Sequence, residues 1–400
     1  MAVIGAGISG LGAAYLLARA HDVEIFERAP YVGGHTRTIR HGDLALDTGF
    51  LVHNERNYPL LLRLFRELGV RTQESEMSFS VSCGCGLEYS GRRPFAQPHR
   101  LADPRFHGLL WEIGRWLRTA RRSLECLDCE SWSLRRYLDE RRFSKGFRRH
   151  FIVPLTAALW STAPGRALEF PAAYEIRFFE NHGMLGFGRR RWLSVAGGSD
   201  TYVGALAQRL RGGLHVGLGA RSLRRRRDGV ELTTDDGKTR CFDVAVVAVH
   251  ADQALGLLAD PSEDERRILG AFPYTENEVV LHTDSSFLPR ARGARASWNY
   301  RLGDDGRPTI TYYLNRLQRL DDERDFCVTL NQEVPDLHVI DRGVLVHPLY
   351  TVESLAAQRE LSGLSGLRRT WYAGAHHGNG FHEDGLASGV RAAAELGVTW

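Results

Sequence analysis

Gly5, Gly7 and Gly10 are the residues whose spacing most directly implies chemistry. They stand in Gly5-Ala6-Gly7-Ile8-Ser9-Gly10, after the apolar run Met1-Ala-Val-Ile4. Leu11, Ala14, Tyr15, Leu17 and Ala18 follow with helical spacing, and a second apolar run, Val23 to Phe26, ends on Glu27. Strand, glycine turn, helix and strand in that order hold a dinucleotide. The first glycine permits the tight turn, the second lets a pyrophosphate approach the backbone, and the third lets helix and strand pack closely. Ile8 and Ser9 open the helix, whose N-terminus faces the phosphates. Glu27, with Arg28 beside it, lies 20 residues past Gly7, where an acid holds a ribose hydroxyl.

The acid also selects among cofactors. A carboxylate repels a 2′-phosphate, which disfavours NADP and leaves FAD and NAD. Gly33-Gly34-His35-Thr36-Arg37-Thr38 follows at once, and then Asp47-Thr48-Gly49-Phe50. A second glycine pair lets the chain fold back along the pyrophosphate, and Arg37 is placed to pair with a phosphate oxygen. This extension resembles the flavin-containing amine oxidase superfamily, whose usual form is Gly-Gly-Arg; here His35 replaces that arginine.

The chain has 400 residues, 43% hydrophobic and 25% charged, which suggests two domains of a soluble globular protein. A net charge of +4 makes no case for nucleic acid, and the arginine runs at 189–191 and 224–227 read as solvated faces. The apolar N-terminus has no basic lead, so it is not read as a signal peptide. The first strand begins at Met1, so the true start, or a fuller strand, is expected a few residues upstream. No transmembrane helix is expected, and the expected location is the cytoplasm. Cys83-Gly-Cys85 and Cys126-x-x-Cys129 offer zinc-like spacing, but the reading preferred is reduced thiols and no metal.

Helices are expected at 57–69, 105–125, in pieces over 134–160 broken by Pro154, and at 195–211 after a glycine turn. On 105–125, Phe106, Leu109, Leu110, Ile113, Leu117 and Ala120 share a face. Its arginines with Trp111 and Trp116 allow peripheral membrane contact through 105–122, against the simpler reading of a helix covering the substrate domain. Strands are expected at 77–82, 214–218, 230–234 and as one buried parallel strand over 242–249. Further strands at 278–282, 296–300, 309–314 and 344–347 suggest a second sheet.

Residues 370–396 give strand, glycine loop and helix: Tyr-Ala-Gly374, His376-His377-Gly-Asn-Gly380-Phe-His382-Glu383-Asp384-Gly385, then Leu386-Ala-Ser388-Gly389. The superfamily resembled above ends in the same way, with this loop against the flavin. The resemblance therefore implies FAD and makes Gly374, Asp384, Gly385 and Leu386 flavin-side candidates. They join Gly5, Gly7, Ile8, Ser9, Gly10, Glu27, Arg28, Gly33, Gly34, His35, Thr36, Arg37, Gly49, Phe50, Ala220 and Arg221. The fold implied is α/β: a discontinuous Rossmann-like FAD-binding domain (1–75, 190–260 and 345–400) and an α+β substrate domain (76–189 and 261–344) of mixed sheet and covering helices.

A narrower resemblance rests on Gly33-Gly34-His35-Thr, Asp47-Thr-Gly-Phe, Phe178-Phe-x-Asn181-His182-Gly183, Ala296-Ser-Trp298-Asn299-Tyr300 and Phe381-His382-Glu383-Asp384-Gly385. These look like a bacterial subgroup of FAD-binding oxidoreductases often encoded near cyclopropane-fatty-acid-synthase-like methyltransferases. It implies acyl or lipid substrates and a methyltransferase partner. Lysine, the usual partner of flavin N5 in amine oxidases, occurs only at 145 and 238. The catalytic candidates are His182 and His382 as bases, and Trp298 and Tyr300, which with Tyr312 could supply an aromatic pair. The expected reaction is dehydrogenation or double-bond isomerisation of an unsaturated acyl chain. The rivals are an amine or amino-acid oxidase, a natural-product tailoring flavoenzyme, and a flavin-binding partner of a lipid methyltransferase without turnover.

Overall fold

The computed structural model describes residues 1–125, 132–160, 164–185, 191–210, 213–303 and 308–400. A five-stranded parallel sheet runs in the order Leu214–Val216, Glu24–Glu27, Ala2–Ile4, Ala245–Val247, Thr370–Tyr372. Its central strands are apolar and carry no alternation, as strands covered on both faces must. One face is covered by helices Ile8–Leu17 and His382–Glu395. Nearly every residue of the first is buried, and Gly12 leaves the room that Leu386 fills.

A seven-stranded mixed sheet holds the second core, in the order Val339–Pro348, Tyr274–His282, Cys327–Leu330, Pro308–Tyr313, Trp298–Leu302, Phe79–Cys83, Glu88–Ser90. Only the pair Trp298–Leu302 with Phe79–Cys83 is parallel. Helices Pro104–Thr119, Leu134–Glu140, Val153–Trp160 and Ala172–Asn181 pack into the same apolar cluster.

Four local readings change. The run over 242–249 is two strands: Thr239–Phe242 belongs to an antiparallel three-stranded sheet, and Ala245–Val247 to the parallel one. The chain bends at Asp243, whose charge cannot enter either core. The helix expected at 105–125 ends at Thr119 and continues as a 3₁₀ turn, Arg121–Glu125. On it Trp116 is core, 1% exposed and edge-on to Tyr137 and Phe143, because a large aromatic ring gains most from burial. Trp111 is the exposed one. Pro154 does not break its helix, since a π-helical turn at Arg148–Ile152 precedes it and runs straight into Val153–Trp160. The strand Cys327–Leu330 has no counterpart among the expected ones. Among the described residues no helix is long and apolar enough to cross a membrane.

Candidate flavin and active site

The glycine turn sits at the carboxyl end of the first parallel strand, where open α/β sheets bind ligands. Gly5 adopts φ +100°, and a Cβ on Gly10 would collide with the Gly5 carbonyl oxygen. A Cβ on Gly7, by contrast, would meet nothing within 4 Å. That opening is the space a pyrophosphate needs, and Gly33 and Gly34, both at positive φ, fold the second loop against it, with Gly33 N–H donating to the Ala6 carbonyl at 2.8 Å. Glu27 closes the other side: its carboxylate accepts from the backbone N–H of Ala6 at 2.7 Å and of Ala29 at 2.8 Å. Arg28 donates to the Ala220 carbonyl at 2.9 Å, so Arg28 and Ala220 meet beside the acid, while Arg221 is exposed. Ile8 and Ser9 begin the helix, and Gly385 and Gly389 of the C-terminal helix rest directly on them.

Some candidates have other employment. Arg37 is held by Asp341 through two bonds, 2.8 and 3.1 Å, which fixes its guanidinium beside the second glycine loop. Leu386 is fully buried against Gly12 between two helices, because a branched apolar side chain fills the gap left by the missing Cβ. Asp384 caps its own helix through the Phe381 N–H at 2.9 Å, and burial pushes its pKa up to about 6. Gly374 donates its N–H to Ser388 Oγ at 2.8 Å, which ties the strand end to the helix. Gly49 lies against the His35 carbonyl, and Phe50 N–H donates to that oxygen at 3.0 Å.

His382 points toward this cradle. Its ring stacks on Phe50 at 4.0 Å, and its Nε2 lies 2.6 Å from the Tyr202 hydroxyl, which is in turn 2.5 Å from Thr36 Oγ1. Burial first, and then His35 and His53, push its pKa down to about 3. Such a group is a poor base at neutral pH, and the Thr36–Tyr202–His382 chain positions it. His182 caps the helix Ala172–Asn181: its Nδ1 is 2.9 Å from the Phe178 carbonyl and its ring stacks on Phe178 at 3.8 Å. Tyr300, 1% exposed, belongs to the core of the mixed sheet near Cys83 and Arg149. Trp298 is edge-on to Tyr312 at 5.0 Å. Trp298 and Tyr300 form no facing pair, because alternate residues of one strand stand side by side on the same face.

The candidate His35 clusters with two histidines that the sequence reading did not place at the site, His250 and His347, whose ring centroids lie 6.0 and 5.2 Å from its own. Burial first, then neighbouring imidazoles, keeps His35 at about 4 and His347 at about 3, so both are neutral. Ring nitrogens of His53, His250, His376 and His377 are buried without a hydrogen-bond partner among the described residues. Orphaned donors and acceptors gathered around the glycine loops fit a polar group that the protein alone does not supply. Asp47, fully buried, ties Thr38, after the second glycine loop, to Ser199 at the head of helix Asp200–Arg209 and to Gln318, accepting from all three.

Glu383 was also missed. It accepts the N–H groups of Leu60 at 2.8 Å and Leu61 at 3.0 Å, capping the helix Pro59–Leu68 from the flavin loop. The signal was present: of two adjacent acids before a helix, one caps that helix and the other needs a partner elsewhere. Glu383→Ala is expected to cost about 1–3 kcal/mol and to speed amide exchange at Leu60 and Leu61, with Glu383→Gln retaining part of the protection. Unchanged exchange in Glu383→Ala would remove this cap from the account.

An open groove of about 940 Å³, lined by Met1, Val23, Glu24, Gly213, Arg226 and Asp243 among others, lies at the amino ends of the parallel strands, away from this chemistry. Cys126 and Cys129 lie outside the described residues, as does most of the arginine run at 189–191.

Fold and site together define a two-loop, glycine-cradled dinucleotide protein of the flavoenzyme type. The family model for flavin-containing amine oxidoreductases matches residues 8–397, and the chain belongs to that family of flavin enzymes. Among solved structures, it is similar to a wild-type putrescine oxidase bound to putrescine (TM-score 0.75, 13% identity, 99% of this chain and 98% of that one). It is also similar to a CLA-producing fatty acid isomerase from P. acnes (TM-score 0.71, 17% identity, 99% and 97%). A cyclohexylamine oxidase from Brevibacterium oxydans IH-35A gives TM-score 0.73 at 17% identity, covering 99% and 98%. At these identities the likeness is one of fold. No curated protein sequence matches the chain.

Proposed function

We propose that the chain binds FAD and dehydrogenates or isomerises a double bond of an unsaturated acyl chain or similar apolar substrate. The observation that carries this reading is the aromatic wall beside the flavin loop. Phe381 of that loop stacks on Phe178 at 4.9 Å; Phe178 in turn meets Trp160 at 4.9 Å, and Tyr174 stacks on Tyr350 at 5.0 Å. Glu175 is fully buried on the same helix, and burial raises its pKa to about 8, so it stays neutral at pH 7 and offers an ammonium group no fixed counter-charge. Both lysines are exposed, which leaves none for the role that lysine has in amine oxidases.

FAD, when bound, supplies the acceptor, and in isomerisation the donor, of hydride. Glu27 is assigned to the ribose, the Gly5–Gly10 turn and the N-terminus of helix Ile8–Leu17 to the pyrophosphate, and the loop around Gly374 and Gly385 to the ring. The aromatic wall excludes water and orients the chain. Among the base candidates His182 is the one on this wall. Its Nδ1–H donates to the Phe178 carbonyl, which fixes the ring on the wall, and His182 is assigned to take the proton next to the reacting carbon.

The fatty acid isomerase among the structural neighbours supports the reading, and the two amine oxidases support the alternative, an amine oxidase. A cytoplasmic place, a peripheral membrane seat through 105–122 and a methyltransferase partner remain parts of the proposal. The test is anaerobic addition of unsaturated free and phospholipid acyl chains to flavin-loaded protein. Bleaching of the flavin absorbance, or movement of the double bond in the recovered lipid, is expected. Peroxide formed with amines, and silence with lipids, would replace this reading by the alternative.

A further inference from the structure

We propose that Cys83, Cys85 and His150 form a binding site for a zinc-class divalent ion. The site lies apart from the flavin loops, on the far hairpin of the mixed sheet. Three ligand atoms, two thiol sulfurs and an imidazole nitrogen, lie within 4.8 Å of one another. In a tetrahedral zinc site such atoms are about 3.5–3.8 Å apart, so the present arrangement needs only a small contraction to close on an ion.

The surrounding backbone is organised around these atoms. Cys83-Gly84-Cys85-Gly86 is the tip of the hairpin that joins Phe79–Cys83 to Glu88–Ser90. Cys85 N–H points at Cys83 Sγ, 3.3 Å away, and Gly86 turns the chain at φ +82°. An N–H aimed at sulfur stabilises the thiolate that a metal requires. His150 comes from the π-helical turn Arg148–Ile152, a distortion that recurs at functional sites. The Tyr89 hydroxyl donates to the His150 carbonyl at 2.6 Å, which locks that turn to the hairpin. His150 Nδ1 is buried and has no hydrogen-bond partner among the described residues.

Thiolate and imidazole ligands together select zinc-like ions over magnesium or calcium. Cys85 is exposed, so the fourth position opens to solvent. An ion here would add to the links between the edge of the mixed sheet and the covering helices, beside the Tyr89 bond and the Arg149 guanidinium 4.0 Å from Cys83 Sγ.

The test uses the flavin-loaded full chain, purified without metal-affinity steps. Metal analysis is expected to give about one zinc per chain. After chelation, cobalt(II) should restore visible d–d bands of a tetrahedral site and a near-ultraviolet thiolate-to-cobalt band. Cys85→Ser, at an exposed position, and His150→Gln should each lose the metal by at least about tenfold, while Cys241→Ser keeps it. Flavin content reports that each variant is folded. Retained cobalt bands in Cys85→Ser and His150→Gln, no metal in the parent protein, or a Cys83–Cys85 disulfide in its place would overturn the site. None of these readouts depends on the substrate.

Discussion

A Gly7→Ala variant should keep its fold and lose its flavin. The added methyl meets no protein atom within 4 Å, and Gly7 has a φ of −74° that alanine adopts freely. The apoprotein should therefore melt within about 2 °C of the parent. The methyl instead occupies the space through which a pyrophosphate reaches the backbone N–H groups at the head of helix Ile8–Leu17. Flavin affinity should fall at least about tenfold, or about 1.4 kcal/mol, measured by fluorescence titration of deflavinated protein. Gly10→Val is the contrasting case, because there the side chain strikes the Gly5 carbonyl oxygen. It should lose both flavin and about 3 kcal/mol or more of stability. Equal flavin affinity in Gly7→Ala and the parent would contradict the assignment of this turn.

Arg225→Ala should destabilise the chain by about 3–5 kcal/mol. The guanidinium is 1% exposed, bonded to Glu265 at 2.8 and 2.9 Å and to Asp260 at 2.7 Å. The Tyr372 hydroxyl donates to the same Glu265 at 2.6 Å. Strand Ala220–Arg225, helix Glu263–Leu269 and the last parallel strand thus meet on one buried carboxylate. Burial alone would raise the Glu265 pKa, but the bonds from Arg225, Tyr372 and the Ser262 N–H outweigh it and hold it at about 2. A folded pKa below the unfolded one contributes stability that is complete above about pH 4.5 and is lost as the pH falls toward about 2. Without Arg225 only burial and weaker bonds remain, so the penalty should shrink as the pH drops through that window. Denaturant melts at pH 7, 4 and 3 check this, and a penalty independent of pH would refute it.

The cofactor half was far more legible than the substrate half, for a physical reason. A pyrophosphate is bound by backbone, so its needs are written as glycines at fixed spacing, which any reader of the chain can find. Gly5, Gly10, Gly33 and Gly385 are required by close approach or positive φ, and both demands appear in sequence. Partners such as Asp341 for Arg37, or Glu383 for Leu60, are separated by hundreds of residues and leave no local trace. Trp298 and Tyr300 could not be told apart from core by sequence, because aromatic residues in a strand look alike whether they line a cavity or fill a core. Trp116 carries the same ambiguity on a helix, and its burial agrees with the simpler reading of a helix that covers the substrate domain. The strand at 327–330 was lost because Cys-Val-Thr-Leu is short, and its four buried residues owe their conformation to neighbours on both sides.

The contact of the C-terminal helix with the first one sets an order of events during synthesis. Ile8 and Ser9 are covered by Gly385 and Gly389, which are made well over three hundred residues later. At typical translation speeds the head of the first helix emerges roughly twenty seconds or more before its cover exists. The parallel sheet also waits for Thr370–Tyr372 to supply its outer strand. Until helix His382–Glu395 docks, the nascent chain thus carries an open, apolar helix of the kind that holdase chaperones recognise.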